Sequence, residues 1–531
     1  MSRRYLDPRS GAHPFDLDEG ARPPHVFYLT VDMIPREAWD PDSPMREYLR
    51  TPNLDRLISD GTLFTHACTT SPLCGPSRAA TLTGRYPYLL VNEERAHDGF
   101  EFALRPDDAI FPEYLRAAGW LTKHAGKCHV GAHKFLDAFG ENATPWNRWA
   151  PPMADDDGYL RYLRALGVEP PIWRDPVTGT RPDGALGNSY GGWIVRPDGS
   201  EFPEQATYSQ YLAWLAGETL VSALHQRGDS GASVYLQLDF FAPHQPFMVP
   251  TCYEERAREL APHIELPESY RRALAGDDGG LPLVYRRYRG YWGLSDPQVA
   301  RRYMLMNVLQ IEALDAAIGR FLAALDRHGL YQDALIIFAG DHGEMNCELA
   351  LVDKGVYGHP KVALTPLAVK LPGGEAAGMR VDALVSLLDI APTALEVAGI
   401  TPADRLDGVS LLPMLRGQRT ERGRPFIFEA GWHVCPNPAV AHFAEIDGRR
   451  LMYTYNATSD LDELYDLDDR SYRSLARDES AAELRAEMIR RLAAFLQADP
   501  RWNCWWHSFR LDQAEHLGLA GGDAQMFRPE H

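Results

Sequence analysis

The sequence predicts an α/β fold in which a mostly parallel sheet is sandwiched by helices, followed by a smaller α+β domain. Two observations support this prediction. Short apolar strands alternate with helical stretches from about residue 25 to 417, which is typical of a parallel sheet with helices on both faces. After residue 417 the pattern changes to antiparallel strands and a long amphipathic helix over 481–497. A chain of 531 residues is long enough to bury a large core.

The first elements have clear boundary signals. Residues 51–61 (TPNLDRLISDG) begin with an N-capping threonine and a proline and end at a glycine, which predicts a helix. A strand over 62–68 (TLFTHAC) follows it. Cys74 is expected in a turn that enters a helix at Pro76. The remaining predicted strands run from apolar residues into polar ones, and they cover residues 25–32, 120–127, 233–244 and 334–344.

Polar side chains therefore follow the carboxyl ends of several predicted strands. In open α/β sheets, ligands bind at this edge, so we expect these side chains to converge on one crevice. The set consists of Asp32, Lys127, His129, His244, Asp341 and His342.

The predicted domain organisation has three parts. Residues 1–24 form an N-terminal extension, residues 25–417 form the catalytic domain, and residues 418–531 form the smaller C-terminal domain with its tail. Two inserts, about 140–206 and 250–296, are too long for simple connections, so we interpret them as lids or binding loops.

Composition and charge narrow the class of protein. A formal net charge of −19 argues against binding nucleic acid or an anionic membrane, because the mean field repels phosphate polymers. An anionic small molecule would need a locally basic pocket. The first residues contain no apolar signal region, and no later window resembles a membrane span, so we expect a soluble, cytoplasmic protein. Seven scattered cysteines without a CxxC pair predict free thiols rather than disulfides or a structural zinc site.

The segment CGPSRAATLTGR (74–85) resembles the Cys-x-Pro-Ser-Arg…Thr-Gly-Arg signature of the type I, formylglycine-dependent sulfatases. Further blocks of that family occur in its order: TPNLDRLISDGTLFTHACTTSPLCGPSR, GKCHVG, APHQPF, GDHGE, DKG, TPLAVKLPG, DIAPTALEVAGI and LDGVSLLPML. The resemblance covers residues 25–417, with a weaker echo at ELYDL (463–467). It implies an alkaline phosphatase-like fold, one divalent metal ion, and hydrolysis of a sulfate ester or an isoelectronic relative.

The resemblance gives Cys74 a specific chemistry. A formylglycine-generating enzyme would recognise Cys74, Pro76 and Arg78 and oxidise the thiol to formylglycine, an aldehyde that hydrates to a diol. One hydroxyl of the diol would attack sulfur, and the other would lose its proton so that the resulting hemiacetal collapses and releases sulfate. The alternative is a thiolate nucleophile at a helix N-terminus, although no Cys-His hydrolase signature accompanies Cys74.

The other site roles are also carried over from the resemblance. Arg78 lies one helical turn beyond Cys74 and can reach back to the diol. Lys127 is expected to bind the sulfate oxygens, and His129 to act as the base for hemiacetal collapse. His244 and Lys354 resemble the pair that contacts the ester oxygen and protonates the leaving group. The expected metal ligands are Asp32, the modified Cys74, Asp341 and His342.

Met33 departs from the common family pattern, in which two adjacent acids follow the first strand. A thioether is a poor ligand for a hard cation, so Met33 is left out of the predicted ligand set. The loss of one carboxylate is expected to weaken Ca²⁺ binding and to favour Mn²⁺ or Zn²⁺. A second departure is Cys128, at a position where tryptophan is usual.

The predicted main activity is sulfate ester hydrolysis, with a small anionic ester as substrate. One alternative is a phosphonate monoester or phosphodiester hydrolase with the same machinery, because these esters are also tetrahedral monoanions. The other is a catalytically retired, anion-binding member, suggested by Met33. His359 and the C-terminal RWNCWWHSF (501–509) receive no catalytic role; Trp505, Trp506 and His507 are expected to make packing or oligomer contacts, and a homo-oligomer stays open.

Overall fold

The computed structural model describes residues 23–87, 103–140, 146–181, 183–277, 279–459 and 461–519, so most of the predicted N-terminal extension lies outside the described residues. The strands of these ranges, in chain order, are β1 (Val26–Asp32), β2 (Thr62–Cys68), β3 (Leu121–Gly126), β4 (Ile172–Arg174), β5 (Thr178–Thr180), β6 (Leu186–Ser189), β7 (Gly191–Val195), β8 (Val234–Pro243), β9 (Phe247–Pro250), β10 (Leu335–Gly340), β11 (Leu367–Lys370), β12 (Met379–Ser386), β13 (Ile427–Trp432), β14 (Pro436–Ile446), β15 (Arg449–Asn456) and β16 (Glu463–Asp466).

The helices range from one turn to more than eight turns. In chain order they are α1 (Pro52–Asp60), α2 (Cys74–Thr83), α3 (Phe111–Ala117), α4 (Ala132–Phe139), α5 (Asp157–Ala165), α6 (Tyr208–Arg227), α7 (Glu254–Leu260), α8 (Glu268–Leu274), α9 (Leu283–Trp292), α10 (Pro297–Arg327), α11 (Pro360–Ala363), α12 (Ile390–Val397), α13 (Leu412–Leu415), α14 (Ala482–Ala498) and α15 (Asn503–Asp512). None of the helices in the described ranges combines the length and the apolar character that crossing a bilayer requires.

A seven-stranded sheet forms the centre of the molecule, in the order β12-β2-β11-β10-β1-β8-β3. Strand β11 is antiparallel to both of its neighbours, and the other pairs are parallel. The predicted mixed, mostly parallel sheet is therefore confirmed. The apolar runs identified in the sequence correspond to β1, β2, β3, β8 and β10.

Strand β1 shows why the sheet is covered on both faces. Its side chains alternate between two separate cores, because successive residues of a strand point to opposite faces. Phe27 and Leu29 pack into the core beneath α6 and α10, whereas Val26 and Tyr28 pack into the core beneath α3 and α12. A central strand buried on both faces reads as a continuous apolar run, which is what HVFYLTVD shows.

The register of the central strands brings their acidic residues to one edge. Val31 of β1 is paired with Gly340 of β10, so Asp32 and Asp341 follow side by side. Thr30 is paired with Asp239 of β8. Gly126, at the end of β3, has a φ of 113°, and a Cβ there would lie 1.9 Å from the Asp239 carbonyl oxygen, so this close approach requires glycine.

Helix α2 begins at Cys74 rather than at Pro76, so the thiol opens the helix instead of lying in the preceding turn. Pro76 is tolerated two residues later because the first-turn N–H groups have no partner within the helix. All ten residues of α2 are buried, and Gly84 ends the helix in the left-handed conformation with a φ of 63°. The buried helix fixes the position of Cys74 against the sheet edge.

Both predicted inserts carry secondary structure of their own. The first contains α5, the hairpin β5–β6 and strands β4 and β7, which join β9 in a three-stranded sheet. The second contains α7, α8 and α9. The C-terminal part forms the predicted antiparallel sheet, β13-β14-β15-β16, with α14 packed on β14. The predicted boundary at residue 418 stays a prediction.

A buried ion pair holds the segment before β13 against the central domain. The Arg422 guanidinium donates through Nε and Nη2 to the two carboxylate oxygens of Asp389, each at 2.7 Å. Both side chains are buried. Removing one partner of such a pair leaves the other as an uncompensated buried charge.

We expect Arg422→Leu to lower the free energy of unfolding by about 3–5 kcal/mol, because Asp389 would lose its counter-charge in the interior. The matched control is Arg449→Leu, whose half-exposed side chain pairs with Asp466 at 2.8 Å, and which should cost less than about 1 kcal/mol. Denaturant unfolding monitored by circular dichroism measures both values. Equal losses in the two variants would contradict the role assigned to the buried pair.

Candidate active site

Four potential metal-binding side chains meet at the carboxyl edge of the central sheet. They are Asp32, Cys74, Asp341 and His342, and their ligand atoms all lie within 4.8 Å of one another. All four are buried. The Cys74 Sγ lies 3.4 Å from Asp32 Oδ1 and 3.2 Å from His342 Nε2. The sequence predicted these four residues as one set, and the fold brings them together.

Backbone hydrogen bonds fix the Asp341 carboxylate beside Asp32. The Asp341 N–H donates to the Val31 carbonyl at 3.1 Å, which ties the end of β10 to the end of β1. In return, the backbone N–H groups of Met33 and His342 donate to Asp341 Oδ1 at 3.0 and 2.9 Å. The parallel pairing of the two strands therefore places the two aspartates side by side.

The donor set fits a divalent cation. It offers two carboxylates and one imidazole, and the Cys74 sulfur stands in for the oxygen that formylglycine would present at this position. Burial and the nearby Asp341 and Cys74 raise the pKa of Asp32, which shows that negative charge is crowded here. Burial opposes protonation of His342, yet Asp341 and Cys74 raise its pKa to about 9. A bound cation would replace that proton, since a ligating imidazole is neutral.

Met33 lies beside the cluster and offers no oxygen to it. Its side chain is fully buried, and its sulfur lies 3.8 Å from Lys354 Nζ. Its backbone adopts a positive φ of 58°, which turns the chain away from β1 immediately after Asp32. The position at which the sequence resemblance implies a second acid is thus filled by a thioether in contact with a lysine.

Two buried cations flank the carboxylates. Lys127, just beyond β3, pairs through Nζ with Asp32 Oδ2. Arg78, one turn into α2, donates through Nε to Asp341 Oδ2 at 2.8 Å. Because both cations are paired with aspartates, they neutralise part of the negative charge of this cluster.

Asp239 is a site residue that the sequence analysis missed. It is fully buried in β8, pairs with Arg78 Nη1 at 3.3 Å and with His124 Nε2 at 3.0 Å, and accepts a hydrogen bond from Thr30. It therefore holds the Arg78 guanidinium from the side opposite Asp341. The available signal was a carboxylate inside the apolar run VYLQLDFF, which a buried strand accommodates only if the charge is paired.

His244 and Lys354 form a hydrogen-bonded pair. Lys354 Nζ lies 2.7 Å from His244 Nε2, and His244 Nδ1 lies 2.6 Å from the Gln245 carbonyl oxygen. Because a carbonyl only accepts, Nδ1 carries the ring proton and Nε2 accepts from the lysine. Burial works against the charge on Lys354, but Asp353, 3.0 Å away, raises its pKa above the usual value. The ammonium thus donates to a neutral imidazole.

The surroundings of His129 and of Cys74 lower the pKa values of both side chains, for different reasons. Burial and Lys127 lower the pKa of His129 to about 4, so its ring is neutral at pH 7. Burial alone would raise the pKa of the Cys74 thiol, yet Lys127, Lys354 and His342 hold it well below its usual value. The position of Cys74 therefore stabilises a negatively charged group.

A cavity of about 200 Å³ opens above Cys74. His129, His244 and Lys354 line its floor, and residues from both inserts and from the C-terminal part form its walls. These wall residues were also missed, because no motif marks them. They are Trp149, Asn188, Ser189, Tyr190, Tyr291, Trp292 and His433, together with Gln245 and Asp353 beside the predicted His244 and Lys354.

Two features that received no catalytic role have structural ones. His359 caps α11 by accepting the Lys361 N–H at its Nδ1. In the C-terminal RWNCWWHSF segment, Trp505 is buried and donates from Nε1 to Glu429 at 3.1 Å. Trp502 packs against Tyr86, with ring centroids 5.1 Å apart. The expected packing role is what the fold shows for Trp505, and Trp506 packs partly buried against the same core.

Comparison with known proteins identifies the family. The family model described as Sulfatase matches residues 24–400, which is most of the chain. The chain belongs to the sulfatase family. It is a sulfuric ester hydrolase with the alkaline phosphatase-like fold. A second family model, described as N-sulphoglucosamine sulphohydrolase, C-terminal, matches residues 348–498 of this sulfatase.

Individual relatives of the sulfatase are distant. A choline-sulfatase of Rhizobium meliloti (strain 1021) is 28% identical over 461 residues, covering 84% of this chain and 80% of that protein. An arylsulfatase of Clostridium perfringens (strain 13 / Type A) is 25% identical, covering 76% of this chain and 80% of that protein. The solved phosphonate monoester hydrolase of Silicibacter pomeroyi has a TM-score of 0.67 at 18% identity, covering 90% of this chain and 95% of that one. The last likeness concerns the fold alone.

Metal binding should stabilise this sulfatase against heat. We expect saturating Mn²⁺, at about 100 times its Kd, to add about 2.7 kcal/mol to the free energy of unfolding of chelator-treated protein, and we expect His342→Ala to lose most of this gain. The reason is that the variant removes one of the donors while the carboxylates remain. Differential scanning fluorimetry with and without metal measures the effect.

Two further variants make this test specific. His263→Ala removes an exposed histidine that stacks on Tyr48, so its metal-induced shift should equal that of the unaltered protein. Met33→Asp adds a carboxylate beside the cluster and should increase the shift caused by Ca²⁺ relative to that caused by Mn²⁺. An undiminished Mn²⁺ shift in His342→Ala would rule out the assigned site.

Proposed function

We propose that this sulfatase cleaves sulfate monoesters with a formylglycine derived from Cys74 and with one divalent cation held by Asp32, Asp341, His342 and the modified residue. The observation that carries the proposal is the position of Cys74. It opens α2 among the potential metal ligands and also lines the cavity that contains His129, His244 and Lys354.

The two groups have defined contributions. The cation, when bound, lowers the pKa of the attacking hydroxyl and neutralises charge on the sulfate. The formylglycine hydrate supplies that hydroxyl and a second one through which sulfate is released. Met33 leaves the donor set one carboxylate short, which favours Mn²⁺ or Zn²⁺ over Ca²⁺. A formylglycine-generating enzyme is the partner required for maturation.

Arg78 and Lys127 position and neutralise the anions of the reaction. Arg78 is clamped between Asp239 and Asp341, so its guanidinium keeps one orientation beside the first turn of α2. Lys127 presents a buried ammonium next to Asp32, where it can bind a sulfate oxygen. Preorganised cations of this kind stabilise developing charge without rearranging during the reaction.

His129 suits the role of general base, and His244 with Lys354 suits the role of general acid. The lowered pKa of His129 keeps its ring neutral, so it can accept the proton that leaves the second hydroxyl. On the other side, the Lys354 ammonium donates to His244 Nε2 at 2.7 Å, which places a proton beside the expected ester oxygen. Transfer of that proton to the leaving oxygen would produce the alcohol.

Two alternative activities use the same residues. Phosphonate monoesters and phosphodiesters are tetrahedral monoanions like sulfate monoesters, and the solved relative from Silicibacter pomeroyi is a phosphonate monoester hydrolase. Sulfate esters are favoured because the choline-sulfatase and arylsulfatase relatives cover most of this chain. A catalytically retired protein that only binds anions would not need a general base and a general acid in addition to the nucleophile position.

Mass spectrometry of the peptide spanning residues 71–85 tests the nucleophile. When the protein is produced with a formylglycine-generating enzyme, we expect the Cys74 thiol to be replaced by an aldehyde or its hydrate, because Pro76 and Arg78 complete the recognition sequence. Cys74→Ala should retain the circular dichroism spectrum and lose at least about 1,000-fold in kcat.

Cys128→Ala is the matched control for the nucleophile. This buried thiol lies outside the potential ligand set, so the variant should keep its formylglycine and most of its activity. An active preparation in which residue 74 is always an unmodified cysteine would overturn the formylglycine proposal and support the thiolate alternative.

Substrate class is measured by kcat/KM for 4-nitrophenyl sulfate, 4-nitrophenyl phenylphosphonate and bis(4-nitrophenyl) phosphate on one preparation. We expect the sulfate to have the highest value and the other two to react measurably, because the cations alone do not separate monoanions of the same geometry. A preference of about 100-fold for either phosphorus ester, equivalent to about 2.7 kcal/mol in transition-state binding, would reverse the ranking.

A further inference from the structure

Glu344, the last residue of the GDHGE block, is a fully buried carboxylate. One of its oxygens, Oε1, accepts three hydrogen bonds. The donors are the backbone N–H of Asp353 at 2.6 Å, the backbone N–H of Asn346 at 3.0 Å and the Tyr303 hydroxyl of α10 at 3.3 Å. Glu344 therefore ties the segment that follows β10 to the start of the DKG block.

The loop between these two points has an unusual backbone conformation. Five of its residues, none of them glycine, have positive φ values between 45° and 68°, and they are Asn346, Cys347, Leu349, Ala350 and Asp353. Residues other than glycine adopt this left-handed region at an energetic cost, and they remain there only where the surrounding contacts enforce it. The bonds to Glu344, together with a 3.0 Å bond from the Met345 N–H to the Asp353 carbonyl, close the loop. The position of Asp353 therefore depends on the acceptor that Glu344 provides.

Asp353 connects this loop to the pair formed by His244 and Lys354. Its Oδ1 accepts from the Lys354 backbone N–H at 2.7 Å and from the Lys354 ammonium at 3.0 Å. Its Oδ2 accepts from the side-chain amide of Gln245, the residue next to His244. Lys354 Nζ in turn donates to His244 Nε2 at 2.7 Å. The place of the ammonium therefore follows from the place of Asp353.

We infer that Glu344 is a positioning residue, which fixes the backbone at Asp353 so that Lys354 and His244 hold a proton at the leaving oxygen of the ester. When the S–O bond breaks, that proton moves to the leaving oxygen and the alcohol is released. The inference rests on the proposed function, because it requires this pair to act as the general acid. Glu344 is itself fully buried and does not line the cavity, so it acts through Asp353.

Two leaving groups of similar size report on this proton delivery. 4-Nitrophenolate is a weak base and leaves with little help from an acid, whereas phenolate is a stronger base and depends more on protonation. The leaving-group ratio is kcat/KM for 4-nitrophenyl sulfate divided by kcat/KM for phenyl sulfate. It compares the steps up to cleavage of the S–O bond, because the later collapse of the hemiacetal is common to both substrates.

We expect Glu344→Leu to raise the leaving-group ratio about tenfold or more, which is part of the contribution of about 100-fold or more that a positioned acid makes. Glu344→Gln should keep the ratio within about twofold of the unaltered enzyme, because both backbone bonds end on one oxygen and an amide also supplies one. Glu344→Asp keeps a carboxylate but shortens the side chain by one methylene, so its ratio should lie between the other two. Steady-state kinetics of enzyme with converted Cys74 measures all three.

Asp315→Leu is the matched structural control. Asp315 of α10 is also a buried carboxylate that accepts the backbone N–H groups of a distant segment, those of Leu54 at 2.7 Å and Asn53 at 3.2 Å. It does not line the cavity. The variant should lose stability and keep the leaving-group ratio, because a smaller folded fraction lowers both rates equally.

His244→Ala connects the effect to the acid pair. The variant should raise the leaving-group ratio on its own. Glu344→Leu should add little in the double variant, because both substitutions act on the same proton transfer.

The outcomes separate the role of Glu344 from the proposed function. If His244→Ala raises the ratio, three results would overturn the role of Glu344 alone: an unchanged ratio in Glu344→Leu, an equal rise in Asp315→Leu, or fully additive effects in the double variant. If Glu344→Leu fails to fold, Glu344→Asp decides by the same comparison. An unchanged ratio in His244→Ala would refute the acid assigned in the proposed function, and absence of turnover of both sulfates by converted enzyme would refute that function as a whole; the inference falls in either case.

Discussion

The constraint on which the site depends is the burial of three carboxylates at one edge of the central sheet. Asp32, Asp239 and Asp341 are almost completely removed from water. A buried carboxylate is tolerated only when cations and hydrogen bonds compensate it. Lys127 and Arg78 provide part of that compensation, and a divalent cation would provide the rest. The groups that compensate the buried carboxylates are therefore the same groups that the proposed ester hydrolysis uses.

This arrangement also explains why a helix begins at Cys74. An anionic group at the first turn of a helix faces the unpaired backbone N–H groups and the positive end of the helix dipole. The cations that hold the pKa of the thiol low would equally stabilise a negatively charged oxygen at the same place. Arg78, one turn later, is clamped by two aspartates that belong to different strands. The nucleophile position and its supporting cation are therefore fixed by one buried helix.

The sequence predicted the sheet and the reaction centre because both leave local signals. Apolar runs that end in polar residues marked β1, β8 and β10, and ordered motifs marked Cys74, Arg78, His244 and Lys354. Asp239 was missed because a carboxylate inside an apolar strand signals only that its charge must be paired, and its partners are 161 residues away at Arg78 and 115 residues away at His124. The helix start was placed two residues late, since Pro76 was taken as the first helical residue although a proline fits anywhere in the first turn.

The cavity walls could not be predicted for a different physical reason. Trp149, Tyr190, Trp292 and His433 come from segments that are far apart in the chain, and each meets the others only through the packing of the whole fold. Their residue types also occur in ordinary cores, so composition does not distinguish a binding wall from packing. The residues around Cys74 come from short motifs at strand and helix ends, whereas the walls of the cavity form where two inserts and a C-terminal loop meet above them. Relatives with the same reaction centre can therefore differ in substrate without changing a catalytic motif.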